Sequence, residues 1–320
     1  MDFLEDHIDT GANTRSILQG DDCTVVQLKD QTGEGIMRIH MLFDGVYLLY
    51  NDFHMRSCVS QFSLKDQTPF LAIDHCRAGR IETEWKPGTY TYLQEKELRL
   101  DDRKNHSGNV VFPLGHYYGI TLGFNLSIAE SAIQRTFPGF SVRLAEIREK
   151  YIGNHHPFVI KNEPGIEHIL SELYHVPSRI RKEYFCIKAL ELLLYLDALE
   201  ISDSLEERPY FYKSQVEKMK AVHDLITEDL KSHYTIEELA KQVSVSPTAL
   251  KSGFKQIYGD SLYSYLRRVR LNTAAGLLKS APDMSIGEVA SAVGYENQGK
   301  FSTAFKSMMG ISPLEYKKQV

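Results

Sequence analysis

Two stretches of this chain, about fifty residues apart, repeat one pattern. Thr235-Ile236-x-Glu238-Leu239-Ala240-x-x-Val243 recurs as Ser285-Ile286-x-Glu288-Val289-Ala290-x-x-Val293. After one inserted residue the correspondence resumes. Leu250-x-x-x-Phe254-Lys255-x-x-x-Gly259-x-Ser261-x-x-x-Tyr265 returns as Phe301-x-x-x-Phe305-Lys306-x-x-x-Gly310-x-Ser312-x-x-x-Tyr316. A duplicated unit must bury the same face twice, so the fold of the first copy constrains the second. The apolar spacing is helical, and the unit reads as helix, tight turn and second helix.

Each copy opens with a capping box. Thr235 with Glu238, and Ser285 with Glu288, satisfy the free N–H groups of a helix start reciprocally. Ile236, Leu239, Ala240 and Val243 share one face, as do Ile286, Val289, Ala290 and Val293, and the small Ala lets a second helix cross closely. In the first copy that second helix starts at Ser246 as N-cap with Pro247 at the first helical position, where a missing N–H costs nothing. Leu250, Phe254 and Ile257 point inward and leave Thr248, Ala249, Lys251, Ser252 and Lys255 outside. Gly259 ends the helix at a position suited to left-handed backbone. In the second copy Gly294 ends the first helix and Phe301 and Phe305 anchor the second. Asn297, Gln298, Lys300, Thr303 and Lys306 face out. One such hairpin is an ordinary helical unit; two in tandem, with matched cores, caps and terminators, have the layout of a paired helix-turn-helix reader of DNA.

The net charge of −5 opposes nucleic-acid binding until its distribution is read. Residues 213–320 hold 15 Lys and Arg against 11 Asp and Glu, leaving 22 against 31 in the remainder. Lys251, Lys255, Arg267, Arg268 and Arg270 lie within twenty residues whose only acid is Asp260. A modest basic face on an acidic protein suits a reader with low nonspecific affinity. Length predicts two domains, and 42% apolar with 25% charged residues is a globular composition. No run of about 18 apolar residues occurs, and Met1-Asp2-Phe3-Leu4-Glu5-Asp6 is unlike a signal peptide, so a cytoplasmic chain with no membrane partner is expected. Cys23, Cys58, Cys76 and Cys186 lack C-x-x-C spacing, which argues against disulfides and structural zinc and predicts reduced, mostly buried thiols.

Residues 1–125 read as β-rich. Apolar segments such as Thr24–Leu28, Gly45–Tyr50, Phe70–Ile73 and Gly119–Leu122 are broken by turn residues at Gly33, Gly35, Pro69, Pro87-Gly88, Ser107-Gly108 and Pro113. Short strands at this spacing predict a barrel or sandwich. Helical patterns follow. Asn162-Glu163-Pro164-Gly165 opens one through Ile166, Ile169, Leu170 and Leu173. A longer one runs from Pro177-Ser178 to about Glu200 through Ile180, Tyr184, Ile187, Leu190, Leu194 and Leu199, with an apolar stripe wide enough for its own core and, as an alternative, a partner. Periodicity is lost over Ile201–Pro209. The expected organisation is α+β: a β-rich sensing or dimerisation domain with helices at 1–200, a linker at 201–212 and an all-α DNA reader at 213–320.

Residues 213–320 resemble the DNA-binding domain of the AraC/XylS family of transcriptional regulators. The resemblance is carried by Ser285-Ile286-Gly287-Glu288-Val289-Ala290-x-x-Val293-Gly294-Tyr295-x-x-Gln298-x-x-Phe301-Ser302-x-x-Phe305-Lys306 and Gly310-x-Ser312-Pro313-x-x-Tyr316. It implies seven helices, one of them a long connector near Leu262–Leu278, and recognition helices in successive major-groove segments about 34 Å apart. Family members often carry Arg on the outer face of each recognition helix, where Ser252 and Thr303 stand here. Base contacts are therefore expected from Thr248, Lys251, Ser252, Asn297, Gln298, Lys300 and Thr303, and phosphate contacts from Lys255, Arg267 and Lys306. Arg270 either joins them or braces the two subdomains, and Arg268 is as readily a solvated charge. Gly253, mid-helix, costs about 1 kcal/mol relative to Ala.

The N-terminal half resembles the effector-sensing half of such regulators more loosely, through Asp74-His75-Cys76-Arg77-x-Gly79-Arg80-x-Glu82, Pro87-Gly88-x-Tyr90-x-Tyr92-Leu93 and Phe112-Pro113-Leu114-x-His116-Tyr117-x-Gly119-Ile120. His75, Arg77, Arg80, Glu82, Tyr90 and Tyr92 are candidates for a pocket that takes an anionic or phenolic effector. The alternative is a structural Arg80–Glu82 ion pair with tyrosines packing the sheet. His75, Glu82 and His116 imitate His/carboxylate metal ligands, but without His-x-His, and with His155-His156 in a loop before Pro157, no metal or cofactor is expected. No G-x-S-x-G or phosphate-binding glycine loop points to an enzyme. The expected partners are double-stranded DNA, a small-molecule effector and RNA polymerase, with a second copy of the chain left open. An N-terminal half that only dimerises is the competing reading, and an enzyme fused to a DNA reader a more distant one.

Overall fold

The strand Phe70–Lys86 passes through two sheets and organises the first half of the molecule. Its first part lies in an antiparallel sheet whose order is Phe158–Lys161, Glu97–Asp101, Phe70–Lys86, Tyr117–Asn125, Val46–His54, Gly33–Phe43, Thr24–Asp30 and Thr14–Gln19. Beyond Gly79, which has φ +84°, the strand pairs with Thr89–Gln94 and Asn109–Val111 instead. The register shift between Tyr118 and Gly119 on the neighbouring strand marks the bend. The computed structural model describes residues 8–9, 14–19, 23–59, 63–64, 69–104, 108–153, 156–201 and 211–318, and divides the chain into two compact units, Met1–Phe211 and Tyr212–Val320. Ser107, His155 and most of the segment read as a linker at 201–212 lie outside the described residues.

The first unit is the expected β-rich, barrel-like body with helices. One sheet face packs Leu71, Ile73, Leu98, Leu100, Ile120, Leu122 and Phe124 against helices α1 (Ala129–Thr136), α2 (Leu144–Ile152), α3 (Pro164–Ser171) and α4 (Arg181–Ala198). The opposite face encloses a second core of Val26, Leu28, Met37, Ile39, Tyr47, Leu49, Phe53, Leu93 and Phe112. Both faces are buried, so segments such as Val46–Leu49 are continuously apolar rather than alternating. Cys58 and Cys76 are buried and Cys23 and Cys186 half-buried, none of the four in a disulfide. Burial pushes the Cys58 thiol up to about 12.

Helix α4 departs from its sequence reading in the face that it buries. Phe185, Ala189, Leu192, Leu193 and Leu196 fill the core, whereas Ile187 and Leu194 are 54% and 46% exposed. Lys188 is buried on the core side, where Glu172 and Glu191 neutralise it. The wide stripe had more apolar positions than the core could take.

A polar network lies on the sheet face that carries the second core, opposite Leu71, Ile73, Ile120 and Leu122. Asp74 accepts from Arg99 Nη2 (2.8 Å), Arg103 Nη2 (2.8 Å) and Thr121 Oγ1 (2.8 Å). Arg99 Nη1 also donates to Thr83 Oγ1 (2.8 Å), and Asn51 Nδ2 to Thr121 Oγ1 (3.0 Å). Burial alone would raise the Asp74 pKa, but the Arg103 and Arg99 charges and the bonds from Arg99 and Thr121 outweigh it and hold the carboxyl well below its usual range. Removing that carboxylate leaves two buried guanidinium groups short of a partner. Asp74→Ala should therefore cost about 3–5 kcal/mol in urea unfolding. A depressed carboxylate stabilises above its unfolded pKa, about 3.9, and that contribution fades as pH falls toward the folded value. Wild type should thus lose stability below about pH 4 more steeply than Asp74→Asn. Equal slopes would remove Asp74 as the acid-sensitive group.

Candidate nucleic-acid interface and sensor site

The second unit consists, among the described residues, of α5 (Lys213–Glu228), α6 (Ile236–Gln242), α7 (Pro247–Tyr258), α8 (Leu262–Ser280), α9 (Ile286–Ala292), α10 (Gln298–Met309) and α11 (Pro313–Lys318). The reciprocal caps are formed. Thr235 N–H donates to Glu238 Oε2 (2.8 Å) and Glu238 N–H to Thr235 Oγ1 (3.2 Å), and Ser285 and Glu288 repeat this at 2.7 and 3.2 Å. Those backbone bonds hold both glutamates below the usual carboxylate range. A third box, Ser312 with Glu315, starts α11.

The cores match the duplicated pattern. Leu250, Phe254 and Ile257 are fully buried in the first reader, as are Phe301 and Phe305 in the second. Gly259 and Gly310, both at φ +80°, end α7 and α10. Gly253 has a packing reason: an added Cβ would meet Met219 Sδ of α5 at 3.1 Å, so the missing side chain lets the two helices approach.

The outward faces are where the sequence placed them. Thr248, Lys251, Ser252 and Lys255 on α7, and Gln298, Lys300, Thr303 and Lys306 on α10, are exposed, as is Arg267. Neither helix contains an acidic residue, so the only charges on each face are two lysines, Lys251 and Lys255 on α7 and Lys300 and Lys306 on α10. Two candidates carry other duties. Asn297 is the N-cap of α10, its Oδ1 accepting from Lys300 N–H at 2.9 Å. Thr303 Oγ1 donates to Gly299 O at 3.0 Å and keeps only acceptor capacity. Arg268 pairs with Asp260 (3.0 Å) and lies over Tyr265. Arg270 turns inward, Nη2 donating to Ser232 O at 3.2 Å.

The six sensor candidates do not form one cluster. His75 faces the helices, its ring nitrogens meeting Glu167 Oε1 at 2.6 Å and Tyr174 Oη at 3.4 Å. That bond from His75 holds the Glu167 carboxyl below its ordinary value. Arg77 is half-buried with its guanidinium 4.6 Å above the Tyr174 ring. Past the bend, Arg80 and Glu82 stand opposite Gln94 and Tyr92 on the paired strand. Arg80 donates to Gln94 Oε1 and lies over the Tyr92 ring, whose hydroxyl donates to Glu82 Oε2 at 2.6 Å. Burial pushes the Arg80 pKa down. Tyr90 is half-buried opposite Glu84. Glu82 is thus bonded by Tyr92, and Arg80 by Gln94. His116 bonds Leu114 O at 3.1 Å, and no group of three His, Cys, Asp or Glu among the described residues is placed to hold a metal.

Sequence reasoning missed Arg99 and Arg103. Leu98 and Leu100 alternate with Glu97, Arg99 and Asp101, a pattern that ordinarily reads as one wet face, and nothing local signals that this face is covered. Among the described residues no helix is long and apolar enough to cross a membrane.

Two capped helical hairpins sharing one long helix define the second unit as a tandem helix-turn-helix domain. Residues 239–319 match the helix-turn-helix domain family. An uncharacterised helix-turn-helix-type transcriptional regulator of Haemophilus influenzae is 30% identical over 40% of this chain and 43% of its own length. The arabinose operon regulatory protein of Salmonella typhimurium is 32% identical over 42% of this chain and 46% of its own. The C-terminal domain of AraT, a response regulator from Geobacillus stearothermophilus, is 36% identical over 32% of this chain and 85% of that solved chain, with a TM-score of 0.31. The chain spans less than half the length of the two curated relatives. Its C-terminal unit is thus similar to the helix-turn-helix domains of such transcriptional regulators.

The cap at Asn297 yields a test. Asn297→Ala should lower stability by about 1 kcal/mol, while Asn297→Ser, which can cap equally, should not. If the amide only caps, the serine variant keeps wild-type base preference in a binding assay with randomised duplexes. A changed preference would restore Asn297 as a base reader.

Proposed function

We propose that the chain is a sequence-specific, DNA-binding transcriptional regulator and a one-component sensor of a small molecule. The observation that carries the DNA-binding part is the pair of exposed, acid-free faces on α7 and α10, presented by matched hairpins on one helix. A helix of 19 residues extends about 28 Å, on the scale of one turn of duplex DNA, about 34 Å. In this reading Lys251, Ser252, Thr248, Gln298 and Lys300 meet base edges, with Thr303 accepting only and Asn297 offering its amide nitrogen. Lys255, Arg267 and Lys306 meet phosphates. RNA polymerase is the partner on which such a promoter-bound protein acts.

For sensing, Arg77 is the best placed of the six candidates. It is half-buried and stacked on Tyr174, with Tyr118 packed on the same ring at 5.3 Å. An anionic or phenolic ligand would find a cation and aromatic faces there. Arg80, Glu82 and Tyr92 suit a structural role better, because they bond within their own hairpin. A second reading, that the N-terminal unit serves to join two copies, is favoured by α4. Ile187 and Leu194, seven residues apart on one face, are exposed, and Ile180 at the N-cap position continues the line.

DNA binding should be strongly salt-dependent. If Lys255, Arg267 and Lys306 each neutralise one phosphate, they contribute about −2.7 to the slope of log K against log salt. Lys255→Ala should weaken all duplexes alike and flatten that slope by about 1, whereas Lys251→Ala and Lys300→Ala should relax preference at single positions by about 1–3 kcal/mol. Uniform loss from all three would overturn the facing assignment. For the sensor, a thermal-shift screen of carboxylates and phenols on the full chain should find a stabilising compound. Arg77→Ala should abolish that shift and leave DNA affinity intact. A screen without hits, together with a dimer in sedimentation that Ile187→Glu dissociates, would favour the scaffold reading.

A further inference from the structure

The duplicated turns differ at their left-handed residue, and that difference points to a contact between the readers. The turn after α6 and the turn after α9 have the same backbone. Val245 N–H donates to Ala240 O at 3.0 Å and Tyr295 N–H to Ala290 O at 2.9 Å. The residue before each is left-handed, Ser244 at φ +53° and Gly294 at φ +80°. A serine therefore meets the backbone requirement in the first copy, so left-handedness alone does not demand glycine in the second. What demands it is space. A Cβ on Gly294 would lie 2.1 Å from Leu230 O, 2.9 Å from Arg270 Nη2 and 3.0 Å from Arg270 Cζ. The turn of the second reader is pressed against the α5–α6 loop of the first, with Arg270 of the shared helix alongside both.

That loop is itself shaped to receive the arginine. Asp229 Oδ1 accepts from Lys231 N–H (2.9 Å) and Oδ2 from Ser232 Oγ (2.8 Å), which sets the backbone whose Ser232 carbonyl accepts from Arg270 Nη2. Arg270 Nε is buried without a hydrogen-bond partner among the described residues, and burial pushes the Arg270 pKa down. A guanidinium kept there at such a cost is held by its position. Along α8 the apolar contacts change sides around it. Leu262 and Tyr265 are buried before it, and Leu271, Ala274 and Leu278 join the core of the second reader after it. A single helix joining two bodies resists bending poorly at the point where its side contacts change, and Arg270 sits at that point.

We propose that Arg270, clamped between Ser232 O and the bare backbone of Gly294, is a latch that fixes the angle between the two DNA readers. It thereby sets which spacing of two half-sites the protein accepts. Arg270 is a positioning residue and touches no base. This rests on the DNA-binding reading above. Inserting one base pair between half-sites moves the second by about 3.4 Å and turns it by roughly 35°, which a latched pair of readers cannot follow.

The test uses the full chain and duplexes that it enriches from a random-sequence pool. The best duplex is remade with one base pair added, one removed, or one half-site scrambled. Wild type should lose at least about tenfold on either spacing change. Arg270→Ala should lose less than about threefold on those changes, with affinity for the duplex carrying a single half-site within about twofold of wild type. Arg270→Lys, which keeps a donor, should restore part of the spacing penalty. Asp229→Ala, at an exposed position, should move the penalty in the same direction and carries the test if Arg270→Ala fails to fold. A full spacing penalty retained in the folded Arg270 or Asp229 variant overturns the latch, as does a wild type indifferent to spacing. If no duplex is enriched at all, the DNA-binding reading falls first and the latch with it.

Discussion

Helix α8 is a wall of two cores at once, and the arrangement of the whole second unit depends on that sharing. Its first turns bury Leu262 and Tyr265, and its last turns bury Leu271, Ala274 and Leu278 against Phe301 and Phe305. Each reader alone is a short helical hairpin with little apolar area, which would be marginal in isolation. Fusing both to one continuous helix gives each a third packing surface and sets a distance between them.

The first unit meets a different constraint. Covering both faces of the central sheet leaves no solvent for the polar residues beside the second core, so they must satisfy one another. Asp74, Arg99, Arg103, Thr83, Thr121 and Asn51 do so. Removing one member strands the others, which makes this network sensitive to substitution without making it a source of large net stability. Arg77, on the helix side, is only half-buried where Arg80 and Arg99 are buried.

The helical half was legible because its signals are local. A capping box at Thr235 or Ser285, Pro247 after Ser246, and glycine after Tyr258 or Met309 each act over four residues or fewer, and the structure contains all of them. Duplication then doubled each signal. The N-terminal half was legible only as β-rich. Its decisive pairings, such as His75 with Glu167 across 92 residues and Arg99 with Asp74 across 25, leave no trace in spacing. Helix α4 shows the same limit: the stripe through Ile187 and Leu194 was visible, but which of its apolar faces the sheet would cover was not.

By itself, then, the sequence determined two capped helical hairpins with cationic outer faces, because caps, terminators and helical periodicity depend on near neighbours alone. Only the tertiary structure decided which polar groups of the first unit pair with each other, and that Asn297 spends its carbonyl on a cap. It also decided that Arg270 turns inward beside Gly294. Those outcomes depend on which distant backbone arrives within hydrogen-bonding reach, and burial strengthens the contact once it has arrived.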